Sequence, residues 1–282
     1  MGFIPRKSID RLFRFLGYKI ERIKSGDDSN LYKKYPKESL LNKKFLNVGA
    51  GKFFHKFWTN VDYGSEQYEK VQNEFVELNL IEIPKFPFDD NSIEVIYTSH
   101  TIEHITDESV INFIKESQRI LKKGGVLRIT CPDSKLLVNS VKFKVEDFWD
   151  WRTEWFLKKC GIDSNEIELE DYLIREFSTA RCRFLENSND SLQPLEVREK
   201  MRNLSDNDFL KWIVEKNKFD EKFANYHINF WNYEKLEKMC IDAGFSEIYH
   251  SGFGQSLSPP LTNIKLFDNT HPKMSLYFEA RK

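Results

Sequence analysis

The sequence predicts an α/β protein whose core is a mostly parallel, doubly wound sheet. Strand-like apolar runs alternate with helical patterns across residues 43–133, which is the order that a parallel sheet with crossover helices requires. A glycine-rich turn, Gly49-Ala50-Gly51, directly follows the first apolar run, Phe45–Val48. Glycines at a strand end let the backbone turn sharply and approach a ligand closely, so this turn marks the expected binding edge of the sheet.

Three more apolar runs are predicted as strands of the same sheet. They cover residues 57–61, 93–98 and 126–130. The first of these ends in Asp62 and Tyr63, so a carboxylate that can hold a ribose diol stands at the expected binding edge.

A helix is predicted between the last two of these strands. Thr106 is a typical N-cap, and the two acidic residues after it suit the positive end of a helix. We predict that the helix closes in the run Leu121-Lys122-Lys123-Gly124-Gly125. Lysines favour the negative end of a helix, and glycine adopts the left-handed stop at little cost.

The end of the chain adds one helix and two strands. The helix begins at Asn232 and ends at Gly244, and its apolar face carries Leu236, Met239, Cys240 and Ala243. Residues 245–249 and 274–279 have the pattern of two strands.

Residues 134–226 form a long segment rich in both charged and aromatic side chains. The segment is too hydrophobic for a disordered linker, and residues 166–177 have a helical pattern. We interpret it as a mainly helical cap over the ligand pocket, with Trp151 facing the substrate. The alternative is an ordinary helical subdomain whose aromatic residues only fill a core, and this alternative is favoured for most of these side chains.

Arg181 and Arg183 form a pair of cations within this segment. A guanidinium binds phosphate or carboxylate bidentately, so one hypothesis is that the pair clamps an anionic group on the substrate. A pair of solvated surface arginines is the more common alternative.

Residues 1–42 form a basic N-terminal segment with apolar residues at helical spacing up to residue 20. An amphipathic helix with a basic face can lie on an anionic membrane surface. A helix packed on its own domain explains the same pattern and is favoured, because most amphipathic helices face a protein core.

The composition argues against a membrane-spanning or secreted protein. Hydrophobic residues make up 40% of the 282 residues, and no apolar run approaches the roughly 20 residues that cross a bilayer. The first residues contain scattered arginines and lysines where a signal peptide would have an apolar block.

Charge and cysteine content narrow the class of partner further. The net charge of −1 removes the long-range attraction to phosphate backbones that dedicated nucleic-acid binders show. The cysteines have no C-x-x-C spacing, so neither a disulfide framework nor a metal site is predicted, and reduced thiols in the cytoplasm are favoured.

Four motifs, in this order, resemble those of class I S-adenosylmethionine-dependent methyltransferases. They are Asn47-Val48-Gly49-Ala50-Gly51, Trp58-Thr59-Asn60-Val61-Asp62, Ser99-His100-Thr101-Ile102-Glu103-His104 and Leu121-Lys122-Lys123-Gly124-Gly125. The chain is most similar to the type 11-like, small-molecule branch found in bacterial surface-polysaccharide and secondary-metabolite pathways. The resemblance spans residues 43–133 and resumes at residues 227–282, so it divides the chain into an N-terminal segment, an interrupted methyltransferase domain and the cap insertion at residues 134–226.

This resemblance implies a Rossmann-like sheet of seven strands, mostly parallel, with an antiparallel pair at the C-terminus. It also implies S-adenosylmethionine as cofactor. The backbone at Gly49 and Gly51 would approach the methionine portion, Asp62 would accept hydrogen bonds from the ribose hydroxyls, and Asn79 would contact the adenine amino group. The remaining predicted cofactor residues are Asn47, Ala50, Tyr63, Leu80, Ser99 and His100.

A nicotinamide-dependent dehydrogenase is the nearest alternative, because it also needs a glycine-rich turn. Its G-x-G-x-x-G fingerprint has a third glycine where this chain has Phe54, and its acidic residue lies about 20 residues further on. Here Asp62 follows Gly51 so closely that only a stunted helix fits between them. In a dehydrogenase the N-terminus of that helix binds the pyrophosphate of the cofactor, so a cofactor without a pyrophosphate has less need of the helix.

Histidines near the expected methyl position are the candidate catalytic residues. Our hypothesis is that His104 or His227 removes a proton from the acceptor, with Glu103 orienting a ring and His100 beside it. The alternative for His104 is a residue at a helix start whose ring is satisfied by backbone groups.

These observations predict an enzyme that methylates oxygen on a small or carbohydrate-linked acceptor in the cytoplasm, with peripheral membrane contact through residues 1–24 left open. Methylation of nitrogen or of a phosphoryl oxygen is a second interpretation, and it would make the histidines dispensable. A scaffold that binds the cofactor or a membrane without turnover is a third, because Asn47 and Asn79 stand where relatives often have acids.

Overall fold

The computed structural model describes residues 28–64, 75–185 and 190–282. The chain divides into two units, Met1–Lys34 and Tyr35–Lys282. In the first unit, the described residues contain one 3-10 turn, Ser29–Tyr32. The basic amphipathic helix predicted before residue 25 lies outside the described residues.

A seven-stranded sheet forms the centre of the second unit. Its strands are β1 (Phe45–Val48), β2 (Trp58–Asp62), β3 (Phe75–Glu77), β4 (Ile93–Ser99), β5 (Leu121–Pro132), β6 (Glu247–His250) and β7 (Ser275–Arg281). Their order across the sheet is β3-β2-β1-β4-β5-β7-β6, and the first five are parallel. β7 runs antiparallel to both β5 and β6. The predicted fold class, a mostly parallel sheet closed by an antiparallel C-terminal pair, is therefore confirmed.

Helices flank the sheet and build the inserted segment. They are α1 (Lys37–Leu41), α2 (Asp107–Ile120), α3 (Ser134–Lys142), α4 (Asp150–Cys160), α5 (Leu169–Phe177), α6 (Pro194–Asn203), α7 (Asp206–Val214) and α8 (Tyr233–Asp242). The predicted helix starts are correct at both flanking helices. The Thr106 hydroxyl accepts a hydrogen bond from the Ser109 N–H, and the Asn232 side chain accepts one from the Lys235 N–H.

The predicted end of α2 was wrong by several residues. The helix stops at Ile120, and Leu121 already has an extended backbone and belongs to β5. Leu121 is fully buried opposite Ile93 in the sheet, which a helical position would not allow. Gly124 does adopt a positive φ of 78°, but it does so within β5, where its N–H donates to the Lys282 carbonyl.

The stunted helix expected between β1 and β2 does not form. The chain makes only turns there, and Gly49 and Gly51 have φ of 71° and 52°, in the left-handed region that a right-handed helix excludes. The Gly49 N–H donates to the Val61 carbonyl, which ties the turn to the neighbouring strand.

Buried apolar residues of the second unit form two clusters. One joins the sheet to its flanking helices, and the other lies among α3 to α7 with Trp149, Phe156 and Phe209 fully buried. Most of the aromatic residues in the insertion therefore fill a core, as favoured above. We keep the division of the chain at residues 133/134 and 226/227 as a proposal, which these two clusters support.

Within the parts of the chain that the structure describes, no helix combines the length and the apolar character that crossing a bilayer needs. The four cysteines, Cys131, Cys160, Cys182 and Cys240, are all free thiols.

Candidate active site

A cleft opens at the carboxyl ends of β1, β2 and β4. Val48 is level with Val61 on one side and Thr98 on the other, so the residues that follow these strands meet at one edge. This register brings Gly49, Asp62 and His100 together, as predicted for a parallel sheet. The lining is completed by Val48, Gly51, Val61, Tyr63, Leu78, Asn79, Leu80, Ile81, Thr101, His104, Ile105, Phe219 and Ala224.

The two glycines of the first turn are required for different reasons. A Cβ at Gly49 would lie 2.1 Å from the Thr101 hydroxyl oxygen, so no larger residue fits there. A Cβ at Gly51 would meet no protein atom within 4 Å and would instead project into open space. An adenosine cofactor fits this arrangement, because the open space beside Gly51 is available to a ligand that approaches the backbone closely.

Asp62 lies between the glycine turn and the cleft. Its carboxylate accepts hydrogen bonds from the Gly51 N–H at 2.6 Å and from the Tyr63 N–H at 2.7 Å. Burial raises the pKa of this carboxyl group above its ordinary value of 3.8, against the opposing effect of the two N–H donors. Each oxygen has a further lone pair, so the carboxylate can still accept ribose hydroxyls while it holds the turn.

The other predicted cofactor residues divide into two groups. Tyr63, Asn79 and Leu80 line the cleft, but the amide oxygen of Asn79 already accepts the Ile81 N–H at 3.1 Å. The lining does not include Asn47, Ala50 or Ser99, and Asn47 and Ala50 are buried behind it.

His100 has a backbone conformation that is uncommon outside glycine. Its φ is 51°, and its N–H donates to the Thr130 carbonyl. The ring connects two parts of the structure, because Nε2 lies 2.7 Å from the Ser275 hydroxyl and Nδ1 lies 3.0 Å from a Glu103 carboxylate oxygen.

The structure brings His104 and His227 into contact, although they are far apart in the sequence. Their ring centroids are 4.8 Å apart, with the rings edge to face. The cause is main-chain pairing, because the Glu103 carbonyl accepts hydrogen bonds from the N–H groups of Ile228 and Asn229. This pairing holds the loop that carries His227 against the turn Ile102–His104.

Each of these two rings has one nitrogen engaged by a backbone carbonyl. His104 Nδ1 donates to the Tyr226 carbonyl at 3.1 Å, and His227 Nδ1 donates to the Glu176 carbonyl at 2.9 Å. A backbone carbonyl thus engages one of the two nitrogens of the His104 ring, as in the alternative in which backbone groups satisfy this ring. The other nitrogen, Nε2, keeps its lone pair. Burial lowers the pKa of both imidazoles, so the neutral form is favoured.

Glu103 is an almost fully buried carboxylate beside these rings, with 1% of its surface exposed. Burial raises its pKa, but the nearby rings of His100 and His104 outweigh that effect and hold the pKa below the ordinary value. Glu103 therefore carries a negative charge beside the ring of His100.

The three predicted substrate residues lie away from the cleft lining. Arg183 makes a bidentate contact with the buried carboxylate of Asp171, at 2.8 Å to each oxygen, and Arg181 donates to the Asp190 carbonyl. Trp151 lies beside a separate cavity, where its ring contacts His271 with centroids 5.6 Å apart. These contacts give the acceptor-clamp hypothesis no support.

Part of the cleft wall comes from the insertion and was not predicted from the sequence. Phe219 and Ala224 line the cleft, and the Tyr63 hydroxyl donates to the Glu221 carboxylate between them. Glu176, fully buried beside His227, was missed as well. These residues belong to no motif, so the sequence offered no signal for them.

Comparison with known proteins places a methyltransferase domain at residues 47–129. Among solved structures, the chain is similar to an S-adenosylmethionine-dependent methyltransferase of Thermotoga maritima, a possible histamine N-methyltransferase (15% identity, TM-score 0.39, 92% of this chain and 96% of that one). It is also similar to an S-adenosylmethionine-dependent methyltransferase of Archaeoglobus fulgidus (12% identity, TM-score 0.41, 84% of this chain and 85% of that one). A third similar structure is an S-adenosylmethionine-dependent methyltransferase of Mesorhizobium loti (12% identity, TM-score 0.39, 90% of this chain and 96% of that one). No curated protein matches the sequence. At these identities and TM-scores, the similarity carries no information about the acceptor.

The matched residues contain the glycine turn, the acidic end of β2 and the histidine turn after β4, which are the three parts of the cleft that meet at the sheet edge. The strand order and this match agree with the resemblance found in the sequence. Residues 47–129 therefore carry a methyltransferase domain, which supports an S-adenosylmethionine-dependent methyltransferase with S-adenosylmethionine as its cofactor.

Proposed function

We propose that this enzyme transfers a methyl group to a hydroxyl oxygen of a small or carbohydrate-linked acceptor. The observation that carries the proposal is the neutral imidazole of His104, which lines the cleft with Nε2 free of the carbonyl that engages Nδ1. A hydroxyl must lose its proton as its oxygen is methylated, whereas an amine that reacts as its free base does not need a strong base.

In the proposed reaction, the glycine turn and Asp62 hold the cofactor, and His104 takes the proton. When bound, S-adenosylmethionine supplies a methyl carbon whose bond to sulfur breaks with both electrons remaining on sulfur. The acceptor hydroxyl loses its proton to Nε2 of His104 while its oxygen bonds to that carbon. Alignment of the acceptor contributes much of the rate, and a positioned base adds roughly 10²- to 10⁴-fold.

The class of acceptor is proposed from the sequence resemblance and from the net charge of −1, which provides no long-range attraction for a nucleic acid. We also propose that the reaction is cytoplasmic, since the four cysteines are all free. Recovery of the protein from the secreted fraction of its native cells would contradict that location.

Transfer of radiolabelled methyl groups to a panel of acceptors tests the proposed chemistry. We expect label on sugars with free hydroxyls, and none on matched primary amines or phosphate monoesters. His104→Gln should lower kcat by roughly 10²-fold or more while calorimetry shows an S-adenosylmethionine Kd within about twofold of the original. His250→Gln is the matched control, because His250 is exposed and does not line the cleft. Transfer to nitrogen alone, or full turnover in His104→Gln, would overturn the proposal.

A further inference from the structure

Glu103, His104 and His227 bring three metal-binding side chains to one point. One nitrogen from each ring and one carboxylate oxygen all lie within 4.8 Å of one another. We propose that these three side chains bind a divalent first-row transition metal ion such as Zn²⁺. A bound ion would occupy Nε2 of His104, so it would change how the proton leaves in the proposed function but not which atom is methylated; its catalytic role described below rests on that function.

The tautomers of the two histidines suit metal binding. In each ring Nδ1 donates its proton to a backbone carbonyl, of Tyr226 for His104 and of Glu176 for His227. Nε2 is then the unprotonated nitrogen, which is the form that ligates a metal. A second ring nitrogen held by a carbonyl is the usual arrangement around metal-binding histidines, because it sets the tautomer and the orientation of the ring.

The environment of Glu103 provides an independent reason for a cation at this point. Both of its carboxylate oxygens are buried, and neither has a well-aligned hydrogen bond among the described residues. A buried carboxylate without such partners is costly, and a metal ion would supply the missing interaction. The closest side chain is that of His100, whose Nδ1 is 3.0 Å from one oxygen and can orient the carboxylate as an outer partner.

The donor set and spacing favour zinc-like ions over magnesium or calcium. Two imidazoles and one carboxylate suit Zn²⁺ and its neighbours, whereas Mg²⁺ and Ca²⁺ prefer oxygen ligands. Tetrahedral ligands about 2.1 Å from an ion are roughly 3.4 Å apart, so the three side chains would draw together by about an ångström on binding.

Three protein ligands would leave a coordination position for a further ligand, and His104, one of the three, lines the cleft from which an acceptor could reach it. An acceptor hydroxyl in that position would have a lowered pKa and would lose its proton to solvent, because Nε2 of His104 is then occupied by the ion. The metal would thus replace direct proton abstraction by His104, and the acceptor atom would still be oxygen.

Cobalt binding to the full-length chain tests the site without requiring any activity. After dialysis against EDTA, titration with Co²⁺ should give a visible absorption band that saturates at one ion per chain, and Zn²⁺ should displace it. Glu103→Gln, His104→Gln and His227→Gln should each weaken Co²⁺ binding more than about 100-fold, and His100→Gln by about 10-fold. His250→Gln should bind as the original protein does, and circular dichroism would confirm that each variant is folded.

Failure of the original protein to bind Co²⁺ or Zn²⁺, or unchanged binding in all three folded ligand variants, would overturn the proposed site. The methyl-transfer assay separates this result from the proposed function. Hydroxyl methylation that persists in EDTA, without Co²⁺ binding, retains the function and rejects the metal. Stoichiometric Co²⁺ binding without any hydroxyl methylation retains the metal site and rejects the function.

Discussion

Single residues at the sheet edge combine a structural and a binding role. Asp62 accepts two N–H groups of the turn and also faces the cleft. Gly49 and Gly51 share a positive φ, but Thr101 crowds the first and open space surrounds the second. The turn is therefore shaped by contacts within the protein at one glycine and by room for the ligand at the other.

Asp62→Asn should weaken S-adenosylmethionine binding by roughly 10- to 100-fold, because charge-assisted hydrogen bonds contribute about 1.5–3 kcal/mol each. In the original protein, affinity should also fall as the pH drops toward the raised pKa of Asp62, since protonation removes the negative acceptor. Calorimetry across a pH series measures both effects. The prediction is contradicted if the asparagine variant keeps the original affinity or the same dependence on pH.

The two glycines should respond differently to the same substitution. Gly51→Ala should cost about 1–2 kcal/mol of unfolding free energy from its positive φ, and it should weaken cofactor binding because its Cβ enters the open space. Gly49→Ala should destabilise the fold further, because the Cβ collides with Thr101. Urea unfolding and cofactor titration of the two variants make the comparison. Equal stability of both variants would show that the Thr101 contact relaxes freely.

At the scale of elements, the contact between His104 and His227 depends on how one loop is held against another. The Trp231 indole N–H donates to the Ile102 carbonyl, and the Asn229 side chain donates to the Ile105 carbonyl. These bonds join the loop before α8 to the turn before α2. Because this loop carries His227, its attachment sets the separation of His104 and His227.

Trp231→Phe tests this attachment while keeping an aromatic ring in the core. We expect a loss of about 1–3 kcal/mol of unfolding free energy, since the buried Ile102 carbonyl loses its indole donor. Turnover should fall by more than cofactor affinity does, because the two histidines separate. Trp212→Phe in the insertion is the matched control, with turnover unchanged. Equal turnover in both variants would show that the loop is held by its main-chain bonds alone.

Across the whole molecule, a buried ion cluster connects the middle of the sheet to the loop after β6. Arg128 in β5 donates to Asp268 at 2.5 and 2.9 Å, to Glu279 in β7 at 2.9 Å, and to the Ser251 hydroxyl. All four side chains are buried. Such a cluster is stable only when complete, because a lone buried charge is far costlier than a matched pair.

Arg128→Met should therefore lower the unfolding free energy by roughly 3–5 kcal/mol, because it leaves Asp268 and Glu279 as uncompensated buried carboxylates. Arg281→Met is a matched control at the exposed Glu247 pair in the same sheet, and it should cost less than about 1 kcal/mol. Chemical denaturation of both variants provides the measurement. Similar losses in the two would mean that the buried cluster adds no stability of its own.

Local patterns alone predicted most of the secondary structure. Alternating apolar runs located the strands, and the capping residues Thr106 and Asn232 located two helix starts, because both signals act over a few neighbouring residues. The end of α2 escaped prediction because Leu121 gains more by pairing with β4 than by extending the helix. The order of motifs also predicted that Gly49, Asp62 and His100 meet at one edge of the sheet, since parallel strands bring their carboxyl ends together.

The acceptor side of the cleft depends on contacts between distant residues. His227 meets His104 only because the Glu103 carbonyl binds a loop more than 120 residues away, and Phe219 reaches the cleft from an insertion without a motif. Arg181 and Arg183 looked equally available in the sequence but are engaged with Asp190 and Asp171. The residues alone predict the mostly parallel sheet and the edge at which its glycine turn and Asp62 meet, whereas only the folded chain decides which distant side chains line the cleft, because long-range packing leaves no periodic signal in a sequence.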